Sequence, residues 1–393
     1  MAIKWFSKPG VHGMKKVRAG IIGQGRSGCD IHAHTMALLP EKFEIAAVAD
    51  TMPERVKEAE ERFGCKGFAD YTEMVATMEL DLVINASPSH LHVPITGDLL
   101  DRGVNVVCEK PLARRSSEVD ALMDKAKQSG CFFSVFQQSR FAPYFQKVRD
   151  VIDSGVLGRI VMIRINFNGF ARRWDWQTLQ KYNGGNLLNT GPHPLDQALK
   201  LFGTEEEPNV FCLMDRANTF GDAEDHVKLI LSGSKSPTID LEISSCSAYP
   251  DSTYRVLGTQ GGLDGNMTRI DWRFFDPADA PPQQLTETPL PGRQYCKEEL
   301  AWTEESWEVP EEQANLFDTI GSSYYNNLYE SLVNGKEPEV KVQEVRRQIA
   351  VIEACHKQNP LSSLYPFESN TTRSTYVRYQ NAQQPIIYWA RKA

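Results

Sequence analysis

The chain has 393 residues, 41% of them hydrophobic and 24% charged, with a net charge of −8. That balance belongs to a folded globular protein of two or three domains with ample core. It argues against a general nucleic-acid binder, which would carry a basic footprint, and no apolar run reaches the roughly 20 residues of a membrane helix.

The first ten residues lack the apolar core of a signal peptide, so a cytoplasmic location is expected. Eight cysteines are scattered without a Cys-x-x-Cys pair. Several, Cys108, Cys131 and Cys212, fall in expected strands, where free thiols act as small hydrophobes. Free thiols are therefore expected rather than a disulfide framework.

In chain order, residues 17–22 read as a first strand and 43–49 as a second, ending at Asp50. A helix follows over 53–63, with proline in its first turn and Gly64 as its stop. Residues 82–84 form a strand, 94–102 a helix closed by Gly103, and 104–108 another strand. Ser117 and Asp120 resemble a capping box that opens a helix ending at Gly130, and 132–136 is a further strand. Strands alternating with helices imply βαβ units and a doubly wound parallel sheet.

After Arg140-Phe141-Ala142-Pro143 the pattern changes. A helix spans about 144–153, and then Val161, Ile163, Ile165 and Phe167 alternate with polar residues, the mark of a strand with one buried face. More such strands are expected near 209–214, 226–231, 238–244 and 253–257, with a helix over about 194–202. This second domain is therefore α+β, with a mainly antiparallel sheet. Residues 271–312 read as an irregular excursion, helices are expected over 313–333 and 342–357, and the apolar tail from Asn359 is expected to pack on the body or on a neighbouring subunit. The expected boundaries are an arm over 1–14, a dinucleotide-binding domain over 15–141, a substrate and oligomerisation domain over 142–340, and a C-terminal helix and tail over 341–393.

Gly23-Gln24-Gly25-Arg26-Ser27-Gly28 follows the first strand and fits G-x-G-x-x-G. The first glycine suits a tight turn, the second lets backbone approach a pyrophosphate, and the third lets helix and strand pack closely. Asp50 ends the next strand at the distance suited to ribose hydroxyls. An acid there repels a 2′-phosphate, so NAD is favoured over NADP, with Arg55 keeping NADP open. Cys29, His32 and His34 lie close in sequence, but i and i+2 on a helix face different ways, so no metal site is expected.

Glu109-Lys110-Pro111 sits at the carboxyl end of a strand, where ligands of open α/β sheets gather. A lone lysine at a strand exit is usually a surface charge; the glycine loop changes that reading. The second dense segment runs Asn183 to Asp196 and contains Gly184, Gly185, Asn189 and His193. Pro192 and Pro194 suit a first helical turn, which puts His193 at the helix mouth. A helical turn would also set Asn189, His193 and Asp196 on one face. A histidine there can exchange a proton with a substrate hydroxyl.

These pieces in this order, together with residues 86–92, Gly155 to Gly158 and Gly258 to Leu263, resemble the Gfo/Idh/MocA family of sugar and polyol oxidoreductases over about 15–357. The resemblance implies an N-terminal Rossmann domain, a C-terminal domain with a large open sheet, and a homo-oligomer, because that sheet commonly forms subunit interfaces. The family's lysine falls on Lys110 and its histidine on His193. The third glycine of its pattern is Asn186 here, and its first acid is Asn189, which can orient a hydroxyl but cannot carry its proton. Proton duty then falls to His193 and Lys110. Gly23, Gln24, Gly25, Arg26, Ser27, Gly28, Asp50, Ser87, Pro88, His92, Glu109 and Lys110 are expected to line the cofactor. Asn189, Gln138, Arg173, Trp174, Tyr182 and Asp196 are expected to contact the substrate. The expected activity is hydride transfer between nicotinamide and a secondary hydroxyl of a sugar or glycoside, with the glucosyl C3 hydroxyl favoured and a 3-keto sugar as product. The alternatives are an inositol or free-sugar dehydrogenase and a redox-assisted glycosidase or lyase that recycles bound NAD.

Overall fold

The computed structural model describes residues 16–249, 251–290, 292 and 295–361. The expected arm and all but the start of the expected tail lie outside the described residues.

The first sheet holds β1 (Val17–Ile22), β2 (Phe43–Ala49), β3 (Lys66–Phe68), β4 (Leu82–Asn85), β5 (Val106–Cys108) and β6 (Phe133–Val135). Its order is β3-β2-β1-β4-β5-β6, with every pairing parallel. The strands read as unbroken apolar runs because helices cover both faces; Leu82, Val83 and Ile84 are all fully buried. The connecting helices are α1 (His34–Ala37), α2 (Pro53–Phe63), α3 (Tyr71–Thr77), α4 (His92–Asp101) and α5 (Ser116–Ser129). Gly64 stops α2 at φ +66, a left-handed turn that glycine adopts without a steric cost. The chain steps outward from β1 to β3 and then crosses to β4 on the other side of β1. The resulting switch point opens a crevice at the carboxyl ends of β1 and β4, where such sheets bind ligands.

Three local features differ from expectation. The segment after the glycine loop is a π-helix, Arg26–Ala33, that runs into α1. β3 and α3 are too short to leave a period in the sequence. The cap of α5 is not Ser117 with Asp120: the helix begins at Ser116, and the Glu118 carboxylate accepts from the backbone N–H of Arg114 and Arg115. Asp120 instead pairs with Arg346.

The second sheet begins after α6 (Pro143–Asp153) with β7 (Ile160–Asn168). Two helices follow, α7 (Asn186–Asn189) and α8 (Pro192–Phe202). The chain then makes β8 (Asn209–Asp215), β9 (His226–Ser232), β10 (Thr238–Ser244), β11 (Tyr254–Gly258), β12 (Gly261–Gly265), β13 (Arg269–Phe275) and β14 (Trp302–Glu308). The order is β14-β13-β12-β11-β7-β10-β9-β8, antiparallel except for the β7–β10 pair. Two helices complete the body, α9 (Leu316–Asn334) and α10 (Val342–Gln358). Ile163, Ile165, Leu229, Leu241 and Ile243 line the buried face, while Phe211, Leu213 and Leu257 are exposed on the other. The molecule thus joins a Rossmann sheet to a mainly antiparallel α+β sheet, as the sequence predicts.

The excursion over 271–312 is a correction. Its two ends are the strands β13 and β14, paired from Arg269–Glu308 to Phe275–Trp302. β14 reads Trp-Thr-Glu-Glu-Ser-Trp-Glu and is exposed nearly throughout, so it lacks the alternation that marks a half-buried strand. Among the described residues no helix is long and apolar enough to cross a membrane.

Candidate active site

The glycine loop is shaped by what surrounds it. A Cβ on Gly23, at φ +85, would stand 2.4 Å from the Ala86 carbonyl oxygen, and one on Gly28 would stand 1.7 Å from the Gly23 carbonyl oxygen. Those two glycines let the β1 loop pass the β4 loop and let the π-helix fold back on the turn. Gly25 is different: a Cβ there would meet only the Arg55 guanidinium, at 3.8 Å. The space over Gly25 is therefore open at the crevice, which fits a pyrophosphate laid against bare backbone.

Asp50 does not simply project into that space. Its Oδ2 accepts from the Gln24 N–H at 2.6 Å and its Oδ1 from the Met52 N–H at 2.9 Å, while Arg55 Nη1 lies 3.7 Å away. The carboxylate ties the glycine loop to the end of β2, and each oxygen keeps a second lone pair for a ribose hydroxyl.

Behind the crevice lies a buried ionic cluster. Glu109 is 3% exposed; its Oε2 accepts from the Lys110 N–H at 2.8 Å, and its Oε1 lies 3.2 Å from His32 Nε2. Burial alone would raise its pKa. Contact with His32 and the charges of Lys110, His32 and His92 overcome that and hold it at about 2. His32 Nδ1 in turn meets the Tyr325 hydroxyl at 2.6 Å, which anchors the cluster on α9.

His92, expected at the cofactor, is corrected. Both of its ring nitrogens face backbone carbonyls, Pro111 at 2.7 Å and Ser87 at 2.8 Å, and burial favours the neutral ring, whose single N–H donates to one of them, so it lies buried between the β4 and β5 loops with no donor left over. The Ser87 hydroxyl donates to Asn85 Oδ1 at 2.7 Å, and Pro88 is exposed at the crevice rim. Cys29, His32 and His34 go separate ways, to Arg62, Glu109 and Asp318. Among the described residues no group of three or more His, Cys, Asp or Glu side chains is placed to hold a metal ion.

Lys110 leaves β5 across a cis peptide to Pro111. Its Nζ donates to the backbone carbonyl of Asn189 at 3.0 Å, which joins the two sheets' loops at one point. Burial lowers the lysine pKa, Arg26 and Arg173 push it the same way, and Glu109 opposes them. His193 sits in the first turn of α8, beginning at Pro192. Burial, joined by the Lys110 charge, brings its pKa down to about 3, so the ring is neutral. Its Nδ1 is buried without a hydrogen-bond partner among the described residues.

The expected common face of Asn189, His193 and Asp196 does not form. α7 ends at Asn189, the chain turns at Thr190 and Gly191, and α8 starts afresh. Asp196 is corrected from substrate contact to buried ion-pair partner: Arg140 holds its two oxygens at 2.7 Å each, and Glu344 closes the group from α10. Burial raises the Asp196 pKa and Arg140 opposes that rise.

The other expected contacts lie around the mouth. Arg173 bonds Asp175 and the Gln177 side-chain oxygen, and Gln177 Nε2 donates to Asn189 Oδ1 at 3.2 Å. Tyr182 packs on His90 at 4.9 Å and on Trp176 at 6.3 Å. Trp174 is 81% exposed, and the Gln138 side-chain oxygen is buried without a hydrogen-bond partner among the described residues.

Four residues have no motif to announce them. Gln177 links Arg173 to Asn189. Gln137 from the β6 exit and Gln348 from α10 both donate their amides to the Pro192 carbonyl, the residue before His193. Glu224 is 2% exposed; its Oε1 accepts from the Leu187 N–H at 3.0 Å, and its carboxylate lies where a Cβ on Gly185 would be. Burial lifts the Glu224 pKa to about 7 against its backbone hydrogen bonds and Arg114. Only the doubled glycine at 184–185 hinted at the close approach.

A switch-point crevice with an open glycine cradle, facing a lysine and a neutral histidine, defines a two-domain nicotinamide-nucleotide oxidoreductase. Residues 17–137 match the oxidoreductase family described as NAD-binding Rossmann fold, and residues 145–264 match the GFO/IDH/MocA C-terminal domain. The chain belongs to the Gfo/Idh/MocA oxidoreductase family. It is 25% identical over 377 residues to an uncharacterised oxidoreductase of Schizosaccharomyces pombe, across 90% of this chain and 99% of that protein. It is 28% identical over 276 residues to the rhizopine catabolism protein MocA of Rhizobium meliloti, across 68% of this chain and 81% of the relative. In fold it is similar to the WlbA dehydrogenase of Bordetella pertussis, solved with NADH and UDP-GlcNAcA. The TM-score is 0.69 at 22% identity, covering 88% of this chain and 96% of the other.

Proposed function

We propose that the chain oxidises a secondary hydroxyl of a sugar or glycoside, with the glucosyl C3 hydroxyl as the favoured position and a 3-keto sugar as product. The observation that carries this reading is the pairing of Lys110 with the Asn189 turn beside a neutral His193. When bound, the nicotinamide accepts hydride from the carbon that bears the hydroxyl. His193, neutral and with a buried unpartnered nitrogen, takes the hydroxyl proton. Lys110 donates to the same oxygen and stabilises the charge that develops there. Asn189 orients the hydroxyl, with its side-chain oxygen fixed by Gln177. Gln138, Arg173, Trp174 and Tyr182 surround the ring.

NAD is proposed over NADP, because Asp50 presents an acid where a 2′-phosphate would sit. We take residues 15–141 as the cofactor domain and 142–340 as the substrate domain. A homo-oligomer is supported by the apolar residues Phe211, Leu213 and Leu257 on the uncovered sheet face. All eight cysteines are unpaired, which supports a reducing compartment such as the cytoplasm.

The test is purification without added cofactor, mass spectrometry of the released nucleotide, and a glycoside screen that follows absorbance near 340 nm beside product analysis. A 3-keto product with net NADH supports the proposal. Release of aglycone without net NADH favours the redox-assisted glycosidase, and oxidation confined to inositol or free sugars favours the simple dehydrogenase.

A further inference from the structure

We propose that a cavity of mixed polar and apolar lining beside the catalytic turn is a second-ring subsite, which seats a neutral glycosyl unit attached to the ring that is oxidised. The proposal rests on the reading of the site as that of a sugar or glycoside dehydrogenase. The cavity measures about 440 Å³ and lies at the end of β7 and β10, with Asn166, Asn168, Phe170, Arg173, Asn186 and Ser245 in its wall. That size falls within the range of small-molecule sites.

Three observations point to a hydroxylated ring. The wall combines the amide residues Asn166, Asn168 and Asn186 and hydroxyl residues such as Ser245 with the aromatic residues Phe167 and Phe170. Hydroxyl groups need the former, and the C–H face of a pyranose packs on the latter. Second, the Asn168 side-chain oxygen is buried without a hydrogen-bond partner among the described residues, although its amide nitrogen donates to Glu242 at 2.8 Å and Asp251 at 3.2 Å. A buried acceptor left idle in the wall calls for a donor from a ligand. Third, the cavity is wired to the chemistry. Arg173 reaches Gln177, Gln177 reaches the Asn189 side chain, and the Asn189 carbonyl holds Lys110.

The charge of the occupant follows from Asn168. Its amide donates to Glu242, which is also paired with Lys228, and to Asp251. An anionic ring or a phosphate there would meet the Asp251 carboxylate and, in Arg173, a cation already paired with Asp175. The favoured occupant is a neutral sugar.

The test compares cellobiose, methyl β-glucoside and UDP-glucose as substrates of the NAD-loaded protein, with Asn168→Leu and Phe170→Ala as variants. The expected ratio of kcat/KM for cellobiose over methyl β-glucoside is above 10 in the wild type and falls toward 1 in both variants. A ratio near 1 in the wild type, or one that both variants leave intact, overturns the subsite while leaving the oxidation reading in place. Preference for UDP-glucose over cellobiose overturns its neutral character. If no sugar is oxidised, the oxidation reading fails, and equilibrium binding decides the subsite. Cellobiose binding at least tenfold tighter than methyl β-glucoside, and lost in Asn168→Leu, upholds it; equal or absent binding overturns it.

Discussion

The ammonium of Lys110 donates to the backbone carbonyl of Asn189 at 3.0 Å, across 79 residues of chain. The lysine proposed for catalysis is therefore held by a main-chain atom of the turn before α8 rather than by a carboxylate. A carbonyl cannot take the lysine's proton, and it releases the ammonium readily to a better acceptor, such as a substrate oxygen acquiring charge.

Replacement of Lys110 removes that donor while sparing the cradle at Gly25. Lys110→Ala is expected to lower kcat by about 10²–10⁴-fold, the usual span for one acid–base group. Nucleotide retained after purification, measured by mass spectrometry, should match the wild type. Substantial turnover in this variant would remove Lys110 from the chemistry.

Protonation of His193 gives a stability signature. The unfolded imidazole binds its proton near 6.5, whereas burial and Lys110 keep the folded one neutral down to about 3. Between these values the unfolded state holds more protons, so stability that is present above 6.5 declines as pH falls toward 3. His356, brought down by burial to about 4, adds a slope of the same sign. Tm recorded from about pH 4 to pH 8 should rise with pH in the lower half of that range, and His193→Asn should shallow the slope.

Glu224 works in the opposite sense. Its folded pKa, raised by burial to about 7, exceeds the ordinary value of 4.5, so the folded protein holds the extra proton and stability is lost as pH rises from 4.5 through 7. Glu224→Gln keeps an oxygen for the Leu187 N–H and removes the buried charge. It is expected to stabilise the protein by about 1–3 kcal/mol at pH 8 and little at pH 5, read by urea unfolding at both.

Asp196 separates packing from binding. Asp196→Ala leaves Arg140 buried with Glu344 as its remaining carboxylate partner and is expected to cost about 3–5 kcal/mol. The protein that still folds should keep a near-normal KM. A large rise in KM with unchanged stability would restore Asp196 as a substrate contact.

Gln177→Leu cuts the link from Arg173 to Asn189 without touching the fold's core. A roughly tenfold fall in kcat/KM is expected from one lost positioning contact, since about 1.4 kcal/mol corresponds to a factor of ten. NAD affinity, followed by fluorescence titration, should not change.

Much of the fold is legible in the sequence. The parallel sheet announced itself because its strands are buried on both faces and its turns carry glycine, as at Gly64 and Gly130. Lys110 and His193 stand out in the sequence because each lies beside residues that fix the backbone, Pro111 in one case and Pro192 with Pro194 in the other. β14 was hidden because an exposed strand rich in glutamate has no buried face to create a period. Asp196 misled because helical spacing says where a side chain stands and not who its partner is. Arg140 lies 56 residues earlier in the chain. Gln177, Gln137, Gln348 and Glu224 act through contacts between distant segments, and single amides or acids leave no pattern.

One carbonyl has a consequence for how the protein is made. The Pro192 oxygen receives amides from Gln137, at the exit of the nucleotide-binding sheet, and from Gln348, deep in α10. The mouth of the His193 helix is thus completed by a residue synthesised more than 150 positions later. In a growing chain the Pro192 carbonyl therefore lacks its second amide until α10 has been made. A chain cut between α9 and α10 would lose Gln348, and with it one of the two amides on the Pro192 carbonyl that precedes His193.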